Sequence, residues 1–248
     1  AKILRPFIRQ IFRLFLNPNG SRVIIENQDD FDSLLESHFV RPNDLVLIKG
    51  AGVDTDLFVP TPEPSGPVVI SLIARMLRDK GVVEFVNAAR LIAKTGVNAR
   101  FQLIGDIDSG NPTTLKQSQL EEWNREGIVS WIGHVSDIPT ALSHSHIVCL
   151  PSYREGLPKS LIEAAAAGRP VVTTNVPGCR EVVIHEHNGL LVEPRNSEAL
   201  AEALQRLIAD KELRMRLGAA GRLRAEHEFS RTRINSQTLD VYASLVAP

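Results

Sequence analysis

The chain has 248 residues, of which 43% are hydrophobic, and its 28 basic residues nearly balance its 29 acidic ones. This length and composition are typical of a folded chain with a sizeable core, and they argue against a disordered one. A net charge of −1 gives no general attraction to nucleic acid, so we expect no nucleic-acid partner.

The chain begins with an amphipathic pattern. Residues 3–16 predict a helix whose regular part starts at Pro6, a residue that suits a first helical turn. Arg5, Arg9 and Arg13 recur at four-residue spacing on one face, and apolar residues cover the rest. Such a helix either lies on an anionic membrane surface or packs in a preceding domain with its arginines facing water. The pattern leaves both possibilities open.

The next stretch has few strands. Residues 23–26 and 45–48 predict strands, with a short helix over residues 29–37 between them. Two strands bury too little apolar surface for an independent core, so residues 1–59 are expected to be the end of a larger domain whose beginning is missing. The proline-rich residues 60–67, PTPEPSGP, predict an irregular linker.

From residue 68 onward, short apolar runs alternate with longer amphipathic ones. The predicted strands are 68–72, 100–104, 129–132, 147–150, 171–174 and 190–192. The predicted helices between them are 79–95, 114–126, 136–145, 158–167 and 178–186. Repeated strand–helix units predict an α/β fold, a Rossmann-like doubly wound parallel sheet with right-handed crossovers. We predict one such domain over 68–228, followed by a C-terminal helix within 229–248.

Residues that follow the strands are the first candidates for a site, because ligands of open parallel sheets bind beyond the carboxyl ends of the strands. Arg75 and Lys80 flank the turn after the first of these strands. Free backbone N–H groups and the helix dipole already favour an anion there. Two cations would suit a diphosphate, although solvated loop charges fit the spacing equally well.

The densest pattern is PSYREGLPKSLIEA, residues 151–164. Glu155 lies in the loop, and Glu163 falls inside the following helix. A carboxylate on such an apolar helix requires a partner, which the vicinal hydroxyls of a ribose would supply. The competing interpretations are a salt bridge from Glu155 to Arg154 or Arg180, and an exposed helical position for Glu163.

Glu155 and Glu163, with seven residues between them, resemble the E-x7-E signature of retaining glycosyltransferases of the GT-B fold, particularly family 4. Further motifs extend the resemblance over residues 45–230. They are GAGVD at 50–54 with Phe58, Arg75 with Lys80 and Gly81, WIGHV at 131–135, GRPVV at 168–172 and NGLLV at 188–192. The sequence VIIENQDD at 23–30 resembles members that elongate polyprenyl-diphosphate-linked sugars in bacterial surface-polysaccharide assembly.

This resemblance implies transfer of a sugar from a nucleoside-diphosphate sugar to a sugar or lipid-linked acceptor, with retention of configuration and without a metal ion or other cofactor. It implies catalytic roles for Arg75, Lys80 and Glu155, with the two cations stabilising the leaving diphosphate. The implied donor-binding residues are Gly105, His134, Val135, Gly156, Leu157, Pro158 and Glu163. The family's enzymes carry a full N-terminal Rossmann-like domain that this chain mostly lacks. We therefore expect donor binding with poor turnover or none.

Three other functions compete with this one. A dinucleotide-binding oxidoreductase requires G-x-G-x-x-G, but after Gly50 and Gly52 the third position is Thr55. A non-catalytic nucleotide-sugar-binding or membrane-docking module agrees with a truncated chain. A glycosidase that uses Glu155 and Glu163 as its carboxylate pair fits less well, because a diphosphate-type turn accompanies the helical acid.

The sequence also bears on the compartment. Cys149 and Cys179 are isolated, which indicates a reducing environment rather than a disulfide framework. No run reaches the roughly 18 apolar residues of a membrane span, and arginines interrupt any signal-peptide core. We expect a cytoplasmic protein, with peripheral attachment to the inner face of the cell membrane through residues 3–16 as the possibility that the first helix leaves open.

Overall fold

The computed structural model describes residues 5–246. Residues 1–4 and 247–248, and the side chains of Arg5, Pro6 and Arg9, lie outside the description. The predicted start of the first helix and two of its three arginine side chains therefore lie outside the described residues.

The secondary structure follows the predicted alternation. The helices are α1 (Arg5–Leu16), α2 (Gln28–Ser37), α3 (Val82–Ala93), α4 (Gln117–Arg125), α5 (Ile138–Ser143), α6 (Lys159–Ala166), α7 (Cys179–Val182), α8 (Ser197–Ala209), α9 (Lys211–Glu228) and α10 (Arg231–Val246). The strands are β1 (Val23–Ile25), β2 (Leu45–Leu47), β3 (Val68–Ile73), β4 (Ala99–Ile104), β5 (Ser130–Gly133), β6 (Ile147–Leu150), β7 (Val171–Thr174) and β8 (Gly189–Val192). Short 3-10 turns occupy Pro42–Asp44 and Arg78–Lys80.

Strands β3 to β8 form one parallel sheet in the order β5-β4-β3-β6-β7-β8. Helices α3, α4 and α8 cover one face, α5, α6 and α7 cover the other, and α9 contributes to both cores. Burial on both faces explains why β6 and β7 carry only buried side chains and no polar alternation. The predicted Rossmann-like fold class is confirmed. The strand order reverses between β3 and β6, and in open parallel sheets the ligand crevice lies beyond the carboxyl ends of the strands at such a reversal.

Some helix bounds differ from the prediction. Helix α3 begins at Val82 rather than at residue 79, because Gly81 has a φ of +71° and separates it from the preceding 3-10 turn. The predicted helix over 178–186 is reduced to the four residues of α7. Helices α8 and α9 meet at Asp210, whose side chain accepts a hydrogen bond from the Leu213 N–H at 2.8 Å and so caps α9.

The N-terminal section packs against the larger sheet's domain at several points. Strands β1 and β2 pair in parallel to form a separate two-stranded sheet. Ile48, just beyond β2, forms a small apolar cluster with Ile234 and Val241 of α10. Val53 and Phe58 are buried in the core of the larger domain. Residues before the proline-rich linker therefore contribute to the core that follows it.

The linker over residues 60–67 has no helix or strand, as predicted, yet it is firmly held. The Arg214 guanidinium donates to both carboxylate oxygens of Glu63, at 2.7 and 2.9 Å. Arg169 is buried and donates to the Thr61 hydroxyl and the Pro62 carbonyl. Buried charges are stable only when they are paired in this way, so the linker is fixed to the domain surface.

Helix α1 projects an apolar surface. Phe7 is 70% exposed and Phe15 is 77% exposed. Arg13 donates to the His38 carbonyl, and the rings of Phe12 and Phe39 lie 5.8 Å apart, so the helix contacts its own chain along one side. Within residues 5–246, no helix combines the length and the apolar character that crossing a bilayer requires.

Candidate functional site

The loops after β3 and β6 meet at the crevice through an ion pair. Lys80 Nζ donates to both carboxylate oxygens of Glu155, at 2.7 and 2.8 Å, and both side chains are largely buried. The Ser152 hydroxyl donates to the same carboxylate at 2.6 Å. The competing interpretation that paired Glu155 with Arg154 or Arg180 is therefore wrong. Two residues that the sequence singled out separately, Lys80 and Glu155, act as one charged unit.

A close backbone approach makes this ion pair geometrically possible. A Cβ placed on Gly81 would lie 2.0 Å from the carbonyl oxygen of Pro151, so only glycine allows the two loops to touch. Gly81 also has a φ of +71° and stands at the start of α3. The Lys80–Glu155 pair thus lies at the positive end of the α3 dipole, where the first N–H groups of the helix lack helical partners.

Arg75 belongs to a neighbouring part of the crevice. Its side chain is 59% exposed and is paired with Asp108 on the loop after β4. Both residues line a cleft of about 730 Å³, together with Gly105, His134 and Val135. The structure therefore brings together four of the predicted site residues in a space large enough for part of a nucleotide.

Gly105 lies in the wall of this cleft, at a position where a larger residue would not fit. A Cβ on Gly105 would lie 1.9 Å from the Ala74 carbonyl oxygen. The Trp131 indole N–H donates to the Gly105 carbonyl at 2.9 Å, which helps to fix the backbone there. Gly105 therefore lines the cleft with its backbone.

Glu163 is buried, with 7% of its surface exposed, so the competing interpretation as an exposed helical residue is wrong. The Lys159 ammonium lies 3.3 Å from its Oε1, but the Lys159 side chain is 70% exposed. Burial raises the pKa of Glu163 because it penalises the charged form, and Lys159 only partly offsets this effect. A ligand that donates hydrogen bonds to this carboxylate would relieve the cost.

The loop with Gly156, Leu157 and Pro158 is held by residues from the N-terminal section. Asn27 is 1% exposed, and its side-chain amide donates to the Gly156 carbonyl at 2.9 Å. A Cβ on Gly50 would lie 2.6 Å from Leu157 Cδ2, so the two segments are in tight contact. Pro158 stands at the N-cap of α6, one position before the helix begins, whereas the predicted helix started at residue 158. The sequence interpretation missed Asn27, although an asparagine before a helix is a recognised N-cap pattern.

Charges reinforce the contact between the two sections. Asp29 and Asp30, in the first turn of α2, pair with Arg180 and Arg154 respectively. These pairs are partly exposed, so each stabilises the contact by only about 0.2–1 kcal/mol. Arg154 and Arg180, the two arginines near Glu155 in sequence, are thus paired with α2, and Glu155 pairs with Lys80 instead.

Comparison with known proteins finds related glycosyltransferases. Residues 53–224 match the model of a family described as glycosyl transferases group 1. The chain is 33% identical over 231 residues to the N,N'-diacetylbacillosaminyl-diphospho-undecaprenol alpha-1,3-N-acetylgalactosaminyltransferase of Campylobacter jejuni. That match covers 88% of this chain and 58% of the relative.

Solved structures of similar fold include a glycosyltransferase of Rickettsia africae, with a TM-score of 0.83 and 25% identity. The match covers 95% of this chain and 67% of that protein. Anabaena HepE in complex with UDP and glucose superposes with a TM-score of 0.82 at 23% identity, again over 95% of this chain and 67% of the other, and supports the fold alone.

These matches fix the family, because the family model covers more than half of the chain. The chain spans between 42% and 58% of the length of the first curated relatives that it matches. Its parallel sheet, its crevice at the β3–β6 reversal and its structural neighbours are those of GT-B glycosyltransferases. The chain belongs to the group 1 glycosyl transferases.

Proposed function

We propose that this chain is the donor-binding part of a retaining glycosyltransferase that moves a sugar from a nucleoside-diphosphate sugar to a sugar or lipid-linked acceptor. The observation that carries the proposal is the meeting of Lys80 and Glu155 at the α3 N-terminus, beside the cleft lined by Arg75. The Campylobacter jejuni relative acts, by its name, on a diphospho-undecaprenol-linked sugar. That likeness supports a role in bacterial surface-polysaccharide or lipid-linked glycan assembly.

The donor would extend across the carboxyl ends of β3, β4 and β6. In this arrangement the cleft at Gly105, His134 and Val135 receives the nucleobase, and the buried Glu163 accepts hydrogen bonds from the ribose hydroxyls. The donor sugar lies against Glu155 and the backbone of residues 156–158. Each group of the donor thus meets a surface of matching polarity.

The diphosphate would compete for cations that are already paired. Lys80 is held by Glu155, and Arg75 is held by Asp108. When the bond between the sugar and the diphosphate breaks, its electron pair remains on the phosphate, and both cations stabilise the added charge. The same exchange frees the Glu155 oxygens to accept hydrogen bonds from the sugar. We propose that the chemistry needs no metal ion.

We propose a division of the chain in which residues 1–59 belong to an acceptor-binding domain, 60–67 form the linker, 68–228 bind the donor and 229–248 form the C-terminal helix, with Val53 and Phe58 reaching across the boundary into the donor-binding core. On this division the chain alone binds donor without turning it over. The exposed apolar side of α1 would place the protein peripherally on the inner face of the cell membrane.

A thermal-shift panel of UDP-, GDP- and ADP-sugars tests the proposal, because a ligand that binds only the native state raises the melting temperature. The best ligand is then titrated against Lys80→Ala by calorimetry, as nucleoside and as nucleoside diphosphate. Loss of one charge-assisted hydrogen bond weakens diphosphate binding by about 1.5–3 kcal/mol and leaves nucleoside binding unchanged. Lys94→Ala is the matched control, since Lys94 is exposed just beyond the other end of α3.

Two results would contradict the assignment. If no sugar nucleotide shifts the melting temperature, the donor-binding function is wrong. If Lys80→Ala weakens nucleoside and nucleoside diphosphate equally, Lys80 does not contact the phosphates.

A further inference from the structure

Tyr153 lies in the loop after β6, two positions before Glu155, and connects this loop to the one after β3 in two ways. Its backbone N–H donates to the Asp79 carbonyl at 2.9 Å, and Asp79 immediately precedes Lys80. Its hydroxyl donates to Glu84 Oε1, on the first turn of α3, at 2.7 Å. The segment that carries Lys80 is therefore tied to Tyr153 on both of its sides.

Glu84 depends on this contact. Its second carboxylate oxygen, Oε2, is buried and has no hydrogen-bond partner among the described residues. Glu84 as a whole is half-buried, and removal of the Tyr153 hydroxyl would take away the hydrogen bond that its other oxygen accepts, leaving the carboxylate without this anchor. The bond also needs a protonated phenol. Burial and the neighbouring Glu84 raise the pKa of Tyr153 to about 12, so the phenol is protonated at neutral pH, as it would also be at the ordinary tyrosine pKa of 10.

A third loop covers the tyrosine ring. The guanidinium carbon of Arg195, on the loop after β8, lies 4.4 Å from the centre of the Tyr153 ring. This distance is within the range of a cation–π contact, which holds the ring in place while the hydroxyl reaches Glu84. Tyr153 thus sits between loops that follow β3, β6 and β8.

We propose that Tyr153, through Glu84, is a positioning residue that holds the Lys80 ammonium at the start of α3, where an arriving diphosphate can take it over from Glu155. Tyr153 bonds to Asp79 and Glu84, on either side of Lys80, and so acts by fixing the segment that carries Lys80. The inference rests on the proposed function, because that function assigns Lys80 to the diphosphate. It goes beyond that function by naming the contacts that keep Lys80 within reach of the diphosphate.

Tyr153→Phe tests the proposal, since it removes one hydroxyl and keeps the ring under Arg195. The probe is whichever of UDP, GDP and ADP the wild-type chain binds most tightly, with the corresponding nucleoside alongside, both measured by calorimetry on the full chain. We expect the diphosphate dissociation constant to rise roughly 3- to 10-fold, the effect of one lost hydrogen bond, and the nucleoside constant to stay within about 2-fold. Tyr242→Phe is the matched control, because Tyr242 is the other tyrosine of the chain and is exposed on α10.

Two further variants separate positioning from simple destabilisation. Glu84→Gln retains a carbonyl oxygen that accepts from Tyr153, so its diphosphate affinity should stay near wild type, whereas Glu84→Ala should behave as Tyr153→Phe does. In a Lys80→Ala background, Tyr153→Phe should cause no further loss, because a residue that acts through Lys80 has nothing left to position.

Each alternative result has a distinct meaning. The positioning role is overturned if Tyr153→Phe binds the diphosphate as wild type does, if nucleoside and diphosphate weaken together, or if the losses add in the Lys80→Ala background. If the wild-type chain binds none of the three diphosphates, the proposed function itself fails and the positioning role fails with it. The wild-type titration therefore distinguishes the two failures.

Discussion

Replacement of Glu163 by glutamine should change stability and ligand affinity in opposite directions. Glu163 is buried, and burial raises its folded-state pKa above the ordinary value of 4.5. The proton therefore stabilises the fold: this contribution is complete below about pH 4.5 and is lost as the pH rises through the folded-state pKa. At neutral pH a neutral amide avoids the cost of the buried charge, so Glu163→Gln should melt at a higher temperature than wild type.

The affinity of Glu163→Gln should fall. If the carboxylate accepts charge-assisted hydrogen bonds from the ribose, their weakening costs about 1–3 kcal/mol. That is roughly a 5- to 150-fold rise in the dissociation constant. Wild-type affinity should also decline as the pH is lowered towards 4.5 and Glu163 takes up a proton, whereas the variant should show a flatter dependence.

Calorimetry between pH 5 and 8, together with melting curves of both proteins, provides the assay. Glu202→Gln is the matched control, because Glu202 is exposed on helix α8, which lies on the opposite face of the sheet from α6. A variant that melts lower than wild type and binds as tightly would refute the reasoning on both counts. A variant that is more stable but binds equally well would support the cost of the buried charge and would place Glu163 outside the ligand site.

Asp108→Asn should free Arg75 and tighten nucleoside diphosphate binding by about 2- to 5-fold, the effect of releasing one exposed ion pair. If calorimetry shows unchanged affinity, Arg75 does not contact the phosphates. The chain should sediment with liposomes that contain anionic lipid, and the sedimented fraction should fall at high salt or after Phe15→Ser. Equal sedimentation with neutral lipid would argue against a charged membrane surface as the target. A fragment of residues 50–248 should be more stable than one of 66–248 by about 3–6 kcal/mol in denaturant, because the shorter fragment lacks the buried side chains of Val53 and Phe58. Equal unfolding midpoints for the two fragments would support a domain boundary at residue 66.

The candidate site was partly predictable from the sequence. The spacing of Glu155 and Glu163 and the cations after β3 could be recognised because strand ends and helix starts are marked by local pattern. The residues that pair with them could not be recognised from the sequence. Asp108 had no distinguishing motif, and its pairing with Arg75 depends on where the loop after β4 turns. Asn27 precedes a helix, but nothing local in the sequence indicates its contact with the Gly156 carbonyl, 129 positions away.

The sequence by itself determined the parallel sheet, since apolar runs without polar alternation require helices on both faces. It also placed Lys80 and Glu155 in the segments that follow two of the strands, and so at the same edge of the sheet. Only the tertiary structure decided that these two residues, 75 positions apart, form an ion pair, while Arg154 and Arg180 pair with α2. The reason is physical: periodicity fixes which face a residue occupies, whereas contacts between loops depend on backbone approaches such as that of Gly81 to Pro151, which only the folded chain defines.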